Sequence, residues 1–271
     1  MSDPSSHVGL LSSADIAKAI DTLCSLAETE TIKHFRAPLE ISSKLQKGFD
    51  PVTVADKAAE AVIRRYIMER FPDHGILGEE EEPFQIDADY CWIIDPIDGT
   101  RAFISGLPTW GTLIGLNFKG KPIAGVMHQP FTEEKYICDS QNVYLQHQGK
   151  KSGLRTSAKT QLSEATIMST APELFSGKDQ TAFEALKNKC QLTRFGFDCY
   201  AYAMVAAGNI ELVVECGLNA YDIAPLIPII EKAGGLVTSW DGSSAANGGK
   251  VIAAANPELL QAALEILRPY A

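Results

Sequence analysis

WIIDPIDGTRAF, residues 92–103, ends an apolar run with two carboxylates three residues apart, a proline between them and a Gly-Thr pair behind. Trp92, Ile93 and Ile94 read as a buried strand. A carboxylate at the end of such a strand is costly unless something neutralises it. Asp95 and Asp98 fall within one turn, and a glutamate run, Glu79 to Glu82, lies upstream. Carboxylates converging on one point repel and raise one another's pKa. A hard divalent cation, Mg²⁺ above all, removes that repulsion through oxygen ligands. Pro96 stiffens the backbone and has no N–H, so a carbonyl near Ile97 can turn towards the ion. Gly99 and Thr100 then open a local helix or turn whose N–H groups can seat a phosphate oxygen. Each piece has a plainer reading alone: a surface turn for DxxDGT, a solvated charge run for GEEEE, a helix cap for Asp222. Their combination in one chain points to metal plus phosphate.

Around this motif the chain divides by pattern. Residues 12–36 read as an amphipathic helix capped by Ser12 or Ser13. KLQKGFDPVT is a turn-rich, partly basic loop in which Lys44 and Lys47 are most simply solvated. Thr53 and Asp56 resemble a capping box for a helix with an apolar stripe of Ala59, Val62, Ile63, Tyr66 and Ile67. GIL, YCWII, TLIGLNF, IAGVMHQ, EKYICD and NVYLQHQGK then predict a meandering, largely antiparallel sheet. From about residue 155, strands (ATIMST, QLTRFG, IELVVEC, LVTSW, KVIAAA) alternate with helices. Those helices are DCYAYAMVAAG, with Asp198 as cap, YDIAPLIPIIEKAGG, and a last one opened by Asn256-Pro257. We therefore expect an α+β half over 1–152 carrying the Glu79/Asp95/Asp98 site. An α/β half over 153–271 supplies Asp222.

Composition narrows the class. The 271 residues are 45% hydrophobic and 21% charged, enough for a substantial core. No run approaches the roughly 20 apolar residues of a membrane span, and the N-terminus lacks signal-peptide character, so the expectation is cytoplasmic. The six cysteines show no CxxC pair, and five sit among apolar neighbours, which predicts reduced core thiols. A net charge of −10 argues against nucleic acid or a membrane as partner, but not against an anionic substrate beside a metal. The five histidines show no metal spacing, and Trp110 reads as core or interface.

DPVTVAD, ILGEE, WIIDPIDGT and YDIAPLIPIIEKAGG, in this order within a match over about 12–267, together resemble the inositol monophosphatase family. The resemblance implies a Mg²⁺-dependent phosphomonoesterase with two or three ions, a layered αβαβα sandwich of mixed α/β (α+β) class, and a homodimer. It implies that Glu79, Asp95 and the Ile97 carbonyl hold one ion, and that Asp98 and Asp222 hold a second with Asp95 bridging. Asp56 lies near a weaker third. Gly99 and Thr100 resemble the phosphate-binding amides, and Thr100 with Glu79 orients the attacking water.

The metal motifs leave the alcohol open. Arg101-Ala102-Phe103 replaces the Asn-Phe that commonly follows DGT in inositol-type members. ISGLPTWGTLIGL, RFGFDCYAY and LVVECGLNAYDIAPLIPIIE are similar to the histidinol-phosphate phosphatase branch. That implies hydrolysis of histidinol phosphate, late in histidine biosynthesis, with Arg194, Asp198 and Glu215 on the substrate side. The carboxylates could pair with the substrate ammonium; Asp198 could equally be only a cap, and Glu215 an edge residue. Alternatives are an inositol-1-phosphatase, a broad sugar-phosphate phosphatase, or a non-catalytic regulatory binding protein. The full set of carboxylates and the lack of a basic stripe favour an enzyme.

Overall fold

The computed structural model describes residues 11–38, 41–43 and 51–271, so Lys44, Lys47 and His7 lie outside the described residues. Helix α1 (Ser13–Thr31) starts where Ser12 Oγ accepts the Asp15 N–H at 3.2 Å. A ribbon of β1 (Ile41–Ser43) and β2 (Pro51–Thr53) runs into α2 (Val54–Arg70). The expected capping box is present there, with the Thr53 N–H donating back to Asp56 Oδ2 at 2.8 Å.

Seven strands follow in sheet order as in chain order: β3 (Gly75–Gly78), β4 (Tyr90–Asp98), β5 (Gly111–Phe118), β6 (Lys121–Gln129), β7 (Glu134–Cys138), β8 (Val143–His147) and β9 (Lys150–Gly153). A short helix, α3 (Thr100–Ile104), sits between β4 and β5. The strands β4 to β9 form the antiparallel meander read from the sequence, and β3 joins β4 in parallel. Period-two alternation sorts the side chains. Trp92, Ile94, Ile114, Leu116 and Val126 meet Ile16, Ile20, Leu23, Ile63 and Ile67 of α1 and α2. Leu113, Met127, Tyr136 and Cys138 face the other way, into the centre of the molecule.

The rest of the chain supplies β10 (Thr166–Ser169), α4 (Gly177–Lys187), β11 (Leu192–Phe195), α5 (Asp198–Ala206), β12 (Leu212–Leu218), α6 (Ala220–Ile223), α7 (Ile227–Lys232), β13 (Leu236–Ser239), β14 (Gly249–Ala254) and α8 (Pro257–Leu267). Its strands form a mixed sheet in the order β11-β10-β12-β14-β13. Val213, Val237, Val251 and Ala253 pack on α5 and α7, which also cover the first sheet. Leu212, Val214, Ile252 and Ala254 pack on α4 and α8. The layers are α1/α2, sheet, α5/α7, sheet, α4/α8, the αβαβα sandwich expected. Burying one Leu or Ile side chain contributes about 1.5–3 kcal/mol, so these three apolar clusters hold the five layers together.

One helix differs from its reading. YDIAPLIPIIEKAGG forms two short helices, α6 and α7, rather than one. Pro225 has no N–H and its ring excludes the carbonyl four residues back. Gly115 and Gly125 lie opposite each other on β5 and β6. A Cβ on Gly125 would stand 2.0 Å from the Pro225 carbonyl oxygen, and one on Gly115 3.0 Å from Pro225 Cα. The paired glycines thus leave a dent that receives Pro225 and docks α6 on the first sheet. The six cysteines are free thiols, five of them buried. Among the described residues no helix is long and apolar enough to cross a membrane.

Candidate active site

Residues three apart point to opposite faces of a regular strand. β4 is not regular at its end: Asp95 pairs with Leu113 and Asp98 with Gly111, so one extra residue is accommodated as a bulge. Pro96, inside the bulge, has no N–H to leave unpaired, and its carbonyl accepts the Thr112 hydroxyl at 2.8 Å. The bulge returns Asp98 to the side of Asp95. There the docked α6 brings Asp222, and carboxylate oxygens of all three lie within 4.8 Å of one another. Glu79, just past β3, shares a hydrogen bond with Asp95.

Each aspartate of the cluster is held by one main-chain donor. Asp95 Oδ1 accepts the Ile97 N–H at 3.1 Å. Asp98 Oδ2 accepts the Cys199 N–H, in the first turn of α5, at 2.5 Å. Asp222 Oδ2 accepts the Asn219 N–H at 2.6 Å, closing a capping box on α6. These donors favour the ionised form, yet burial and the neighbouring carboxylates prevail. Asp95 is pushed well above the carboxylate range by burial, then by Glu79, Asp98 and Asp222. Asp98 is raised by burial, then by Asp198 and Asp222. Burial, assisted by Glu79 and Glu215, lifts Asp222 to about 7. An all-oxygen donor set, destabilised by its own charge, fits a hard divalent cation such as Mg²⁺.

Glu79, Asp95, Ile97, Asp98, Gly99, Thr100 and Asp222 line a cavity of about 320 Å³. Gly99 has φ 83° and precedes the first turn of α3; the Thr100 hydroxyl donates to the Ile97 carbonyl at 3.1 Å. Arg101, Thr170, Asp198, Tyr202, Glu215, Asn219 and Tyr221 also line the cavity.

Asp198 does not cap α5. Phe197 holds that position without a side-chain bond, and Asp198, at φ 42°, lines the cavity beside Gly99. Its pKa is raised to about 7 by burial and then by Glu215. Glu215 is no edge residue: it is buried, accepting the Thr170 N–H at 2.7 Å and the Tyr202 hydroxyl at 2.9 Å. Thr170 and Tyr202 escaped the sequence reading. The spacing of Asp198 and Tyr202, one turn of α5, was a usable signal.

Two expected residues stand apart. Arg194 is exposed on β11, its guanidinium 5.6 Å from the Phe197 ring centroid, and does not line the cavity. Asp56 is buried at the start of α2, also off the cavity lining; Oδ2 serves the capping box, and Oδ1 has no partner. Burial raises its pKa to about 6, against the pull of the Thr53 bonds.

The fold and the carboxylate cavity are those of a phosphatase family. The profile of the inositol monophosphatase family matches residues 14–270, and the chain belongs to that family. It is 40% identical over 247 residues to the chloroplastic bifunctional phosphatase IMPL2 of Arabidopsis thaliana, covering 87% of this chain and 70% of the relative. It is 34% identical over 228 residues to a histidinol-phosphatase of Chlorobaculum parvum, covering 83% and 86%. An inositol monophosphatase structure from Zymomonas mobilis superposes with TM-score 0.83 at 35% identity, covering 95% of this chain and 99% of that one.

Proposed function

We propose that this chain is a Mg²⁺-dependent phosphomonoesterase that hydrolyses histidinol phosphate to histidinol and phosphate. The observation that supports the substrate is the pair Asp198 and Glu215, two further carboxylates lining the same cavity as the metal cluster. Histidinol phosphate carries an ammonium and an imidazole on its alcohol side, the charge such a lining attracts. Kinship with a histidinol-phosphatase of Chlorobaculum parvum agrees.

Glu79, Asp95, the Ile97 carbonyl, Asp98 and Asp222 would hold two ions, with Asp56 near a third. Bound Mg²⁺ lowers the pKa of a water and offsets charge on the phosphoryl oxygens. The N–H groups of Gly99 and Thr100 bind a phosphate oxygen. Because the Thr100 hydroxyl donates to the Ile97 carbonyl, its lone pairs remain available to a water proton. Glu79 accepts the other proton and fixes the attack direction. Asp198 and Glu215 anchor the ammonium at the alcohol end of the substrate. Arg194, exposed on its strand, has no part in this reading.

Phosphate release from histidinol phosphate and inositol 1-phosphate, measured side by side, tests the substrate. Faster release from inositol 1-phosphate shifts the reading to an inositol-1-phosphatase or a sugar-phosphate phosphatase, which the likeness to the Zymomonas mobilis structure supports. No metal-dependent release from any phosphomonoester leaves a regulatory binding protein of the same fold.

A further inference from the structure

Helix α2 carries Asp56, Glu60 and Arg64 at one-turn spacing, all buried. Glu60 is shut off from solvent, and its carboxylate is saturated by the glutamate loop. Oε2 accepts the Glu80 N–H at 2.8 Å; Oε1 accepts the Glu81 N–H at 3.1 Å and Arg64 Nη1 at 3.1 Å. Arg64 Nη2 donates to the Glu82 carbonyl at 2.6 Å, and Nε lies 3.2 Å from Glu81 Oε2, off the hydrogen-bond direction. A Cβ on Gly78 would stand 2.0 Å from Glu60 Oε1, so only glycine lets the chain wrap this closely. The residues on either side of Glu79 are therefore fixed to α2, one by lack of room and one by its N–H.

We propose that Glu60 and Arg64 are positioning residues that aim Glu79 at Asp95 and thereby set the affinity for the divalent ion. Four successive glutamates repel one another, and Glu79 must still approach a buried carboxylate. A loop left to its own electrostatics would turn Glu79 towards water. Stability alone explains the clamp poorly, because a buried ion pair is commonly no better than apolar side chains of the same volume. Its geometry explains it well: among the described residues, the hydrogen bonds and ion pairs that Glu60 and Arg64 make outside their own helix go to residues 80–82. Groups that orient metal ligands in this way change metal affinity by about 10–100-fold when removed.

The inference rests on the metal half of the proposed function, and the experiment separates the two. Mn²⁺, which accepts the same oxygen donors, serves as probe. Its binding to the full chain is followed by electron paramagnetic resonance, beside circular dichroism and the Mg²⁺ dependence of phosphate release. Glu60→Gln keeps the volume but turns an amide NH₂ towards a backbone N–H. The folded variant should bind Mn²⁺ about 10–100-fold more weakly. Turnover should recover at high Mg²⁺, with the KM for the phosphate ester unchanged. A merely structural role lowers the melting temperature and leaves the Mn²⁺ affinity of the folded protein alone; that result overturns the inference. Should Glu60→Gln fail to fold, Arg64→Lys, which keeps the charge and loses the fork that bridges Glu60 and the Glu82 carbonyl, carries the test by the same readout. Wild-type protein that binds no Mn²⁺ overturns the metal reading itself, an outcome distinct from wild-type binding matched by the variants.

Discussion

Asp222→Asn should stabilise the metal-free protein while destroying its use. In the fold Asp222 titrates at about 7, and its ordinary value is 3.8. That rise is about three pKa units at about 1.4 kcal/mol each, on the order of 4 kcal/mol against the ionised form. The sign follows from proton binding. Between the unfolded and folded pKa values the native state holds a proton that the unfolded chain has lost. Stability from this group is thus greatest below the unfolded value and declines as pH rises, the penalty being complete above about 7. Asparagine carries no charge and its Oδ1 still accepts the Asn219 N–H, so the cap at α6 survives. In chelator at about pH 8 the variant should melt several degrees above wild type, at roughly 2 °C per kcal/mol for a chain of this size. At about pH 4 the two should converge, because Asp222 is then protonated in the native protein. Saturating Mg²⁺ should reverse the order: wild type gains stability through the linkage of binding to folding, and the variant does not. Calorimetry with and without Mg²⁺ at both pH values reads all of this. Equal melting of the two metal-free proteins at the higher pH would refute the argument that the cluster is held against its own charge.

Glu79→Gln and Asp98→Asn should each stay folded and lose phosphate release by about a hundredfold or more at saturating Mg²⁺, as expected when charge stabilisation is removed; near wild-type turnover in either contradicts the proposed roles. Gly125→Ala puts a methyl group against the Pro225 carbonyl, so it should cost about 1–3 kcal/mol in urea unfolding and weaken Mg²⁺ binding by shifting α6. Asp198→Asn should raise the KM for histidinol phosphate by about tenfold, as loss of a charge-assisted bond implies, and spare a neutral alkyl phosphate; an equal rise for both argues against ammonium recognition. Light scattering should give twice the 29.3 kDa chain mass if the proposed homodimer forms.

The legible parts of the fold are those with local causes. Ser12, the Thr53–Asp56 box and Asn256 mark helix starts because a short polar side chain meets its own helix's N–H groups, a contact contained within four residues. The meander was legible because each strand pairs with the next in sequence. What was misread depends on contacts between distant segments. Pro225 was visible, yet the apolar run continued through it to a double glycine, and only the dent at Gly115 and Gly125 shows why the helix breaks there. Asp198 has a capping residue's chemistry, but Gly99 and Glu215, far away in sequence, give it another position. GEEEE alone resembles a solvated run; Glu79 and Glu80 are half-buried because Glu60, on the preceding helix, receives the loop. The five carboxylates of the metal motifs were all visible, but the convergence of Asp95, Asp98 and Asp222 depended on a bulge and a docked helix that no local pattern encodes.

The way the cluster is tied down bears on how ready it is to bind. Asp95, Asp98 and Asp222 each take a main-chain N–H, from the β4 bulge, the α5 terminus and the α6 cap respectively. Main-chain donors move only with their elements, so these carboxylates are oriented by the packing of the sandwich rather than by flexible side chains. An isolated carboxylate that gains such a bond becomes more acidic, yet all three here remain less acidic than in water. The bonds therefore fix direction without removing the repulsion that a cation relieves. The α5 terminus also contributes twice to the cavity: Cys199 holds Asp98, and the adjoining Asp198 lies against Gly99. A shift of α5 would thus move a proposed metal ligand and a proposed substrate contact at once, so disturbance of this turn should change metal affinity and KM together, whereas disturbance of the Glu60–Arg64 clamp should change metal affinity alone.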